Sequence, residues 1–351
     1  LPDSPLGLSL AHPLGTRTEI PRAWPSAIRQ SVRNDYPLLA CLELGVGAVR
    51  VPAGDLDDPF LARRIGILRE EEVDVVATVL WDQVQDLPGW IERHGDRVDA
   101  WEWQLAGTDQ LSESQFEMLG QLQVAGISQA LSAVVPGEAV PGKQHPRTRV
   151  GFDLDGLFEL DARLSAANVI LDRAVCRLDG DPLSADGLRD FSSLERLESI
   201  RHVDWQLEFD DEDDGRQTAR AVMSLLAVTE MPGSRLFVGP LVDLDRTMDI
   251  CHGLLDSLCN PRPAFEALCC LNTVLSVNRK ERLEAGSGIE WTVSESAVVG
   301  ETASMVLVIP RGRLEGGVVS DLVRSWAARF EEFQVYDLCR GLVAHGNGDG
   351  M

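Results

Sequence analysis

Two glutamates stand on strand-like segments where they could do nucleophilic or acid–base chemistry. Glu208 ends the run VDWQLE, and Glu102 lies inside WEWQLAG. Cleavage of a glycosidic bond needs two carboxyl groups, which lie about 5 to 5.5 Å apart in retaining enzymes. One carboxylate attacks the anomeric carbon, and the other group protonates the departing oxygen. Chemistry of this kind requires that the fold bring carboxyl groups together from two different strands.

Other side chains at predicted strand ends could bind a ligand beside these carboxyl groups. Aromatic faces suit the C–H faces of sugars, although strand tryptophans are also common core residues. Glu208 could equally be a rim carboxylate paired with Arg50, and Glu102 could be an interior ion-pair partner. The remaining candidates for substrate binding are Arg50, Trp81, Asp82, Trp103, Gln104 and Asp243.

Short apolar strands alternate regularly with helical stretches over residues 1–276, which predicts parallel strand pairing. Eight such repeats fit a single α/β domain, a closed (β/α)₈ TIM barrel whose working surface is the C-terminal rim of the strands. The predicted strands are Leu6–Leu10, Gly47–Pro52, Val73–Leu80, Val98–Leu105, Ile127–Val135, Asn168–Leu178, Val203–Phe209 and Leu236–Val242. The predicted helices are Ile28–Leu44, Leu61–Glu72, Leu87–His94, Ser112–Gly126, Leu157–Ala166, Ala185–Ile200, Arg216–Val228 and one that starts near Pro263.

The pattern changes after Ser276. Three strand-like stretches, Ile289–Val293, Met305–Ile309 and Phe333–Leu338, are separated by glycine and glutamate. They predict a small antiparallel β domain over residues 277–345, of the β-sandwich type. Residues 346–351 are expected to form a disordered tail, as chain ends often do.

Several of these segments resemble clan A glycoside hydrolases, the broad group of retaining β-glycosidases. The resemblance rests on LELGVGAVRVP (Leu42–Pro52), VDWQLEF (Val203–Phe209), GLLD with NPRPAFEAL (Gly253–Leu268) and QVYDLCRGLV near the C-terminus. It implies a carbohydrate ligand, with Glu208 in the place of the nucleophile and Arg50 beneath it. The GLLD segment is a packing and loop motif in this family.

The fourth predicted strand departs from the family pattern. Where the family has its acid/base glutamate, the segment WEWQLAG has Ala106, which cannot donate a proton. Glu102 lies four residues earlier on the same face, roughly 13 Å deeper in the barrel by strand rise. Two hypotheses therefore stay open. One is a hydrolase whose acid comes from another loop, with Asp109 and Glu113 as candidates, and the other is an inactive relative that binds a glycan or acts as a scaffold.

Charge and composition restrict the partners. The chain has 351 residues and a formal net charge of −24, so nucleic acids and anionic membrane surfaces are poor partners. No apolar run is long enough to span a membrane. The chain begins at Leu1, which leaves open both export, if a signal peptide was removed, and a cytoplasmic location. The sequence does not indicate an oligomeric state.

No cofactor or metal is expected. The seven cysteines include no C-x-x-C pair, and no histidine pair accompanies them at zinc spacing. They are expected to be free thiols, with a Cys251–Cys259 disulfide as the alternative. The acidic run Asp210–Asp214 resembles the start of a calcium loop, but Ala221 stands where an EF-hand needs glutamate. Phosphate-binding and dinucleotide-binding glycine motifs are absent.

Overall fold

A computed structural model describes the barrel and parts of the C-terminal region. The described residues are 4–10, 14–18, 32–83, 87–137, 148–178, 196–209, 213–229, 231–243, 252–285, 290–293, 297–302, 305–310, 324, 332–338 and 342–347.

Eight parallel strands form a closed barrel, as the alternating sequence pattern predicted. Around the barrel they follow the order β6-β5-β4-β1-β11-β10-β9-β7, and β6 pairs with β7 to close the ring. Each barrel strand directs alternate side chains into the barrel interior and outward beneath a helix. The barrel strands are β1 (Leu6–Ser9), β4 (Ala48–Pro52), β5 (Asp74–Leu80), β6 (Ala100–Ala106), β7 (Gln129–Pro136), β9 (Leu171–Arg177), β10 (Ile200–Glu208) and β11 (Arg235–Gly239).

Helices connect these strands, and local capping residues set several of their ends. Asp58 accepts a hydrogen bond from the amide of Phe60 at 2.7 Å, and Gln115 accepts one from the amide of Ser112 at 2.8 Å. Gly45, with φ of 63°, ends the first helix in the left-handed region. The described helices are α1 (Tyr36–Leu44), α2 (Pro59–Glu70), α3 (Leu87–His94), α4 (Glu113–Val124), α5 (Leu154–Ala166), α6 (Asp214–Thr229) and α7 (Pro263–Ala285). None of these is long and apolar enough to cross a membrane.

The first helix is shorter than predicted. The predicted start at Ile28 lies outside the described residues, and Val32–Asn34 form strand β3, which pairs antiparallel with β2 (Thr16–Thr18). Pro37 in the first turn of α1 explains the later start, because proline has no N–H and is favoured at helix N-termini. The predicted helix Ala185–Ile200 lies mostly outside the described residues, and its last residue already belongs to β10.

The barrel wall contains an extra short strand at its rim. Strand β8 (Thr148–Val150) pairs antiparallel with β7, and the chain then turns at Gly151. Phe152 continues into a parallel bridge with Cys176 on β9. A side chain at Gly151 would place its Cβ 2.8 Å from the amide nitrogen of Arg177, so this close approach requires glycine. Residues 148–152 therefore form a wedge between β7 and β9.

The C-terminal strands form a three-stranded antiparallel sheet and a hairpin. The sheet has the order β12-β13-β14, and β15 pairs with β16. The sequence predicted three of these five strands, and helix α7 runs through the predicted domain boundary at residue 276. Of the predicted tail, residues 346–347 belong to β16, and 348–351 lie outside the described residues. The five strands are β12 (Glu290–Val293), β13 (Ala297–Thr302), β14 (Met305–Pro310), β15 (Glu332–Asp337) and β16 (Leu342–Asn347).

Candidate functional site

Arg50 lies inside the barrel with an exposed fraction of 1%. Its Nη1 donates to Oε1 of Gln206 at 2.7 Å, and its Nε lies 2.8 Å from Oε2 of Glu102. The second contact lacks the alignment of a hydrogen bond, so it is an ion pair by distance. Its Nη2 is 3.7 Å from Oδ2 of Asp204, and the guanidinium stacks 3.7 Å from the ring centroid of Phe237. Arg50 thus connects three strands in the barrel interior.

Glu102 is fully buried and takes part in the same network. Its Oε1 accepts hydrogen bonds from Ser132 Oγ at 2.6 Å and from Gln104 Nε2 at 3.1 Å. With Arg50 on its other oxygen, the carboxylate is surrounded by protein groups, and its exposed fraction is 0%. This arrangement fits the interior ion-pair interpretation of Glu102, because a substrate has no surface of this residue to contact.

Asp204 carries the second half of the interior network. Arg173 Nη1 donates to its Oδ1 at 2.6 Å, and Arg235 donates to both of its oxygens at 3.2 Å. Burial alone would raise the pKa of Asp204, but Arg235, Arg173 and Arg50 together hold that pKa below its ordinary value. Arg235 also pairs with Asp74 at 3.1 Å. Sequence reasoning missed this cluster of charges.

A signal for the cluster is nevertheless present in the chain. Inward positions alternate along a barrel strand, and in the half of β10 nearer the rim they are Asp204, Gln206 and Glu208, all of them polar. Barrel interiors are usually filled by branched aliphatic side chains. Three successive polar residues of the same parity therefore indicate that polar side chains occupy this part of the barrel interior.

Glu208 ends β10 at the C-terminal rim and is half-buried there. Its Oε1 accepts a hydrogen bond of 3.4 Å from the amide of Val150, in the wedge. That Arg50 orients Glu208 stays a prediction, and the described contacts of Arg50 are with Glu102, Gln206 and Asp204. The guanidinium lies at the level of Gln206 and below, nearer the base of the barrel than Glu208.

Ala106 is exposed at the rim end of β6 and lies on the same ring of strand ends as Glu208. It pairs with Val134 on β7, and Val134 pairs with Val150 on β8. Because Val150 contacts Glu208, two strand pairings and one hydrogen bond join the two positions around the rim.

The two tryptophans predicted to bind substrate, Trp81 and Trp103, lie in different environments. Trp103 has an exposed fraction of 1% and stacks on Trp101, with 5.7 Å between ring centroids, in the core. It faces away from the barrel interior because its parity is opposite to that of Glu102, so we leave it out of the candidate site. Trp81 is half-buried beyond the end of β5 and contacts Trp103 edge to face at 5.9 Å. Asp82, next to it, is exposed.

Asp243 has a structural partner for each carboxylate oxygen. Its Oδ1 accepts from the amide of Gly253 at 2.7 Å, and its Oδ2 accepts from Arg262 at 2.7 Å. Leu254 and Leu255 of the GLLD segment are buried, and the amide of Leu255 donates to the carbonyl of Leu241 at 2.8 Å. Asp243 therefore joins the end of β11 to Gly253 and Arg262 in the GLLD and NPRPAFEAL segments.

Two cavities lined by described residues lie away from this rim. One of about 560 Å³ opens at the N-terminal end of the barrel between Asp74, Arg173 and Arg235, and one of about 680 Å³ lies along α2. Among the described residues, no cluster of three or more histidine, cysteine, aspartate or glutamate side chains is placed to hold a metal ion. The described cysteines Cys41, Cys176, Cys259, Cys269 and Cys270 are free thiols.

Comparison with known proteins shows similarity of fold. No family model matches the chain, and no curated protein matches it. A family 39 glycoside hydrolase from the gut symbiont Bacteroides cellulosilyticus has a similar structure, with a TM-score of 0.51 and 13% identity over 88% of this chain and 68% of that one. This similarity supports a barrel like that of glycoside hydrolases.

Two further solved structures match more weakly. One is an endo-β-1,3-glucanase of family 128 from Amycolatopsis mediterranei bound to laminaripentaose, with a TM-score of 0.44 and 16% identity over 67% of this chain and 94% of that one. The other is a spore coat polysaccharide biosynthesis protein from Bacillus subtilis, with a TM-score of 0.41 and 13% identity over 78% of each chain. At this level the comparisons carry no argument about activity.

Proposed function

We propose that this protein binds carbohydrate at the C-terminal rim of its barrel and does not cleave it. The observation that carries the proposal is that β6 has no carboxyl group at its rim end. Its one glutamate, Glu102, is fully buried and paired with Arg50, and Ala106 occupies the rim position where the resemblance to clan A enzymes expects the proton donor. β6 therefore brings no carboxyl group to its rim end that could act with Glu208 in a two-carboxylate mechanism.

The rim offers groups suited to sugar recognition. Trp81 is half-buried there, which suits stacking on a sugar ring, and Asp82 is an exposed acceptor for hydroxyl groups. Gln104 and Glu208 add further hydrogen-bonding groups near the mouth. Polar groups beside a partly exposed aromatic ring can both orient a sugar and remove its apolar face from water.

A second candidate function is hydrolysis with Glu208 as the nucleophile. The half-buried position of Glu208 at the end of β10 favours it, since a nucleophile must reach substrate at the rim. This alternative requires an acid from another rim loop, such as Asp109 or Glu113.

Hydrolysis and binding assays on the same variants separate the two functions. We expect the parent protein to bind uncharged oligosaccharides in calorimetry and to release no reducing sugar from glycosides or polysaccharides. Ala106→Glu restores a proton donor at an exposed position, so we expect it to gain measurable hydrolysis that Glu208→Gln abolishes in the double variant. Ala162→Glu, on the exposed face of α5, is the matched control and should gain none.

Three results would overturn the proposal. If the parent protein binds no glycan, carbohydrate recognition is wrong. If the parent hydrolyses glycosides and Glu208→Gln does not, the protein is an enzyme with Glu208 in its mechanism. Equal hydrolysis by the parent and Glu208→Gln would make it an enzyme that does not use Glu208.

A further inference from the structure

Two glutamines lie in the barrel interior, each one inward position from the rim end of its strand. Gln104 lies on β6, two residues beyond Glu102, and Gln206 lies on β10, two residues before Glu208. We propose that these two side chains determine ligand specificity, with Gln104 presenting an acceptor and Gln206 a donor to the hydroxyl groups of an uncharged sugar residue. This inference rests on the proposed function and names the class of sugar that the rim selects.

The interior network sets the orientation of Gln104. Its amide contacts Oε1 of Glu102 at 3.1 Å, and the carboxylate of Glu102, paired with Arg50, acts as an acceptor. The amide nitrogen of Gln104 must therefore face Glu102, so its carbonyl oxygen faces away from that carboxylate. This oxygen has no hydrogen-bond partner in the part of the chain that the structure describes, and the residue is only half-buried.

Arg50 sets the opposite orientation for Gln206. A guanidinium only donates, so the group of Gln206 that lies 2.7 Å from Nη1 of Arg50 must be its carbonyl oxygen. The amide nitrogen then points away from Arg50, and Gln206 as a whole is buried, with an exposed fraction of 3%. A Cβ built on Gly239 would lie 3.6 Å from this nitrogen, and Gly239 pairs with Glu208 in the ladder between β10 and β11. Because Gly239 has no side chain, it leaves the nitrogen uncovered from its side.

The charges of the network favour an uncharged ligand. Arg50 and Glu102 neutralise each other and are both buried, so the glutamines expose neutral amide groups above a buried ion pair. The carboxylate of a uronic acid would meet the carbonyl oxygen of Gln104 and the carboxylate of Glu208. Arg177, which pairs with Gln206 in the ladder between β9 and β10, donates to the carbonyl of Gly151 at 2.9 Å and to Asp153 at 2.7 Å. Neutral sugar hydroxyls can both donate to Gln104 and accept from Gln206.

Two substitutions test this assignment while keeping most of the network. Gln206→Glu retains an oxygen acceptor for Arg50 but replaces the donor that faces away from Arg50 with a second acceptor. Gln104→Met removes the acceptor with little change of shape. The matched control is Gln115→Glu at the exposed start of α4, which makes the same amide-to-acid change and keeps the acceptor for the amide of Ser112.

Calorimetric titration would compare cello- and laminari-oligosaccharides with oligosaccharides of glucuronic and galacturonic acid. We expect the parent and Gln115→Glu to bind only the uncharged sugars. Each glutamine substitution should weaken binding about tenfold or more, as expected when a ligand hydroxyl loses its partner in a buried site. Thermal unfolding should show that Gln206→Glu remains folded.

The outcomes distinguish this inference from the proposed function. If the parent binds uncharged sugars and both glutamine variants bind equally well, carbohydrate binding stands and the assignment of specificity is wrong. Tighter binding of uronic acid oligosaccharides would also overturn it. If no glycan of any class binds the parent, the proposed function itself fails.

Discussion

At the scale of single residues, Asp204 is the buried carboxylate that three arginines contact in the barrel interior. It is fully buried, and Arg50, Arg173 and Arg235 surround it. Its pKa is lower in the folded protein than its ordinary value, because three arginines outweigh the effect of burial. Its contribution to stability is therefore present above the ordinary pKa of aspartate and is lost as the pH falls through the folded-state pKa.

We expect Asp204→Asn to lower the free energy of unfolding at pH 7 by about 3–5 kcal/mol, because removing one partner leaves buried charges without compensation. As the pH falls below about 4, the free energy of unfolding should decrease less steeply for the variant than for the parent, because the variant has no carboxylate at position 204 to protonate. Urea denaturation across pH measures both effects. Asp109→Asn, in an exposed loop, is the control and should change little. A loss below about 1 kcal/mol, typical of exposed ion pairs, would show that Asp204 is dispensable.

The sequence predicted the role of a single residue only where its position along a strand decided that role. Glu208 was placed at a strand end, and the chain ends its strand there. Arg50 contacts side chains on β6 and β10, which are far from it in the sequence. Residue spacing alone therefore could not show which carboxylate Arg50 binds. Trp103 shows the effect of alternation along a strand. It lies one residue after Glu102, so its side chain is on the opposite face of β6.

At the scale of elements, helix α5 binds the backbone at the start of β10. The carboxylate of Asp161 on α5 accepts hydrogen bonds from the amides of Ser199 at 2.8 Å, Ile200 at 3.0 Å and Glu198 at 3.1 Å. These residues lead directly into the strand that carries Asp204, Gln206 and Glu208. Asp161 is itself buried, so its contacts replace water for three backbone groups.

Asp161→Ala should therefore destabilise the fold by about 2–3 kcal/mol, since buried amides lose their acceptor. Asp161→Asn retains one acceptor oxygen and should cost less. Glu159→Ala, at an exposed position of the same helix, should stay within about 0.5 kcal/mol of the parent. Chemical denaturation provides these values. Equal stability of Asp161→Ala and Glu159→Ala would contradict the proposed anchoring of β10.

Element types were more predictable than element starts. The capping residues Ser112 and Gln115 marked the start of α4, and the alternating pattern gave all eight barrel strands. The start of α1 was misplaced because the apolar spacing over residues 28–36 fits a helix, whereas β3 forms by pairing with the distant β2. Tertiary pairing of this kind is not encoded in local periodicity.

At the scale of the whole molecule, charge is strongly unbalanced. The chain has 56 acidic residues against 32 lysines and arginines, whereas the interior network pairs arginines with carboxylates. The excess negative charge therefore lies mainly outside this network. Repulsion between like charges opposes the compact state, and salt screens it over a Debye length of about 10 Å at 0.1 M.

We expect the unfolding temperature to rise when sodium chloride is added up to about 0.3 M, because screening weakens the surface repulsion more than the buried ion pairs. Differential scanning calorimetry at pH 7 measures this change, and potassium chloride serves as a control that should act equally. At pH 5, protonation of some acidic groups reduces the net charge and should make the salt effect smaller. A falling unfolding temperature would mean that surface ion pairs contribute more than the excess charge.

The wedge of residues 148–152 has a consequence for the shape of the mouth. Near the base, β7 and β9 pair directly through Ala130 and Leu131, but at the rim the amide of Gly151 bonds to Ala133 and that of Phe152 bonds to Val175. Barrel diameter grows with the number of chain segments in the wall. The wall therefore contains one more chain segment between β7 and β9 at the rim than near the base. Altering residues 148–152 offers a way to change the aperture of the mouth without adding a strand to the barrel.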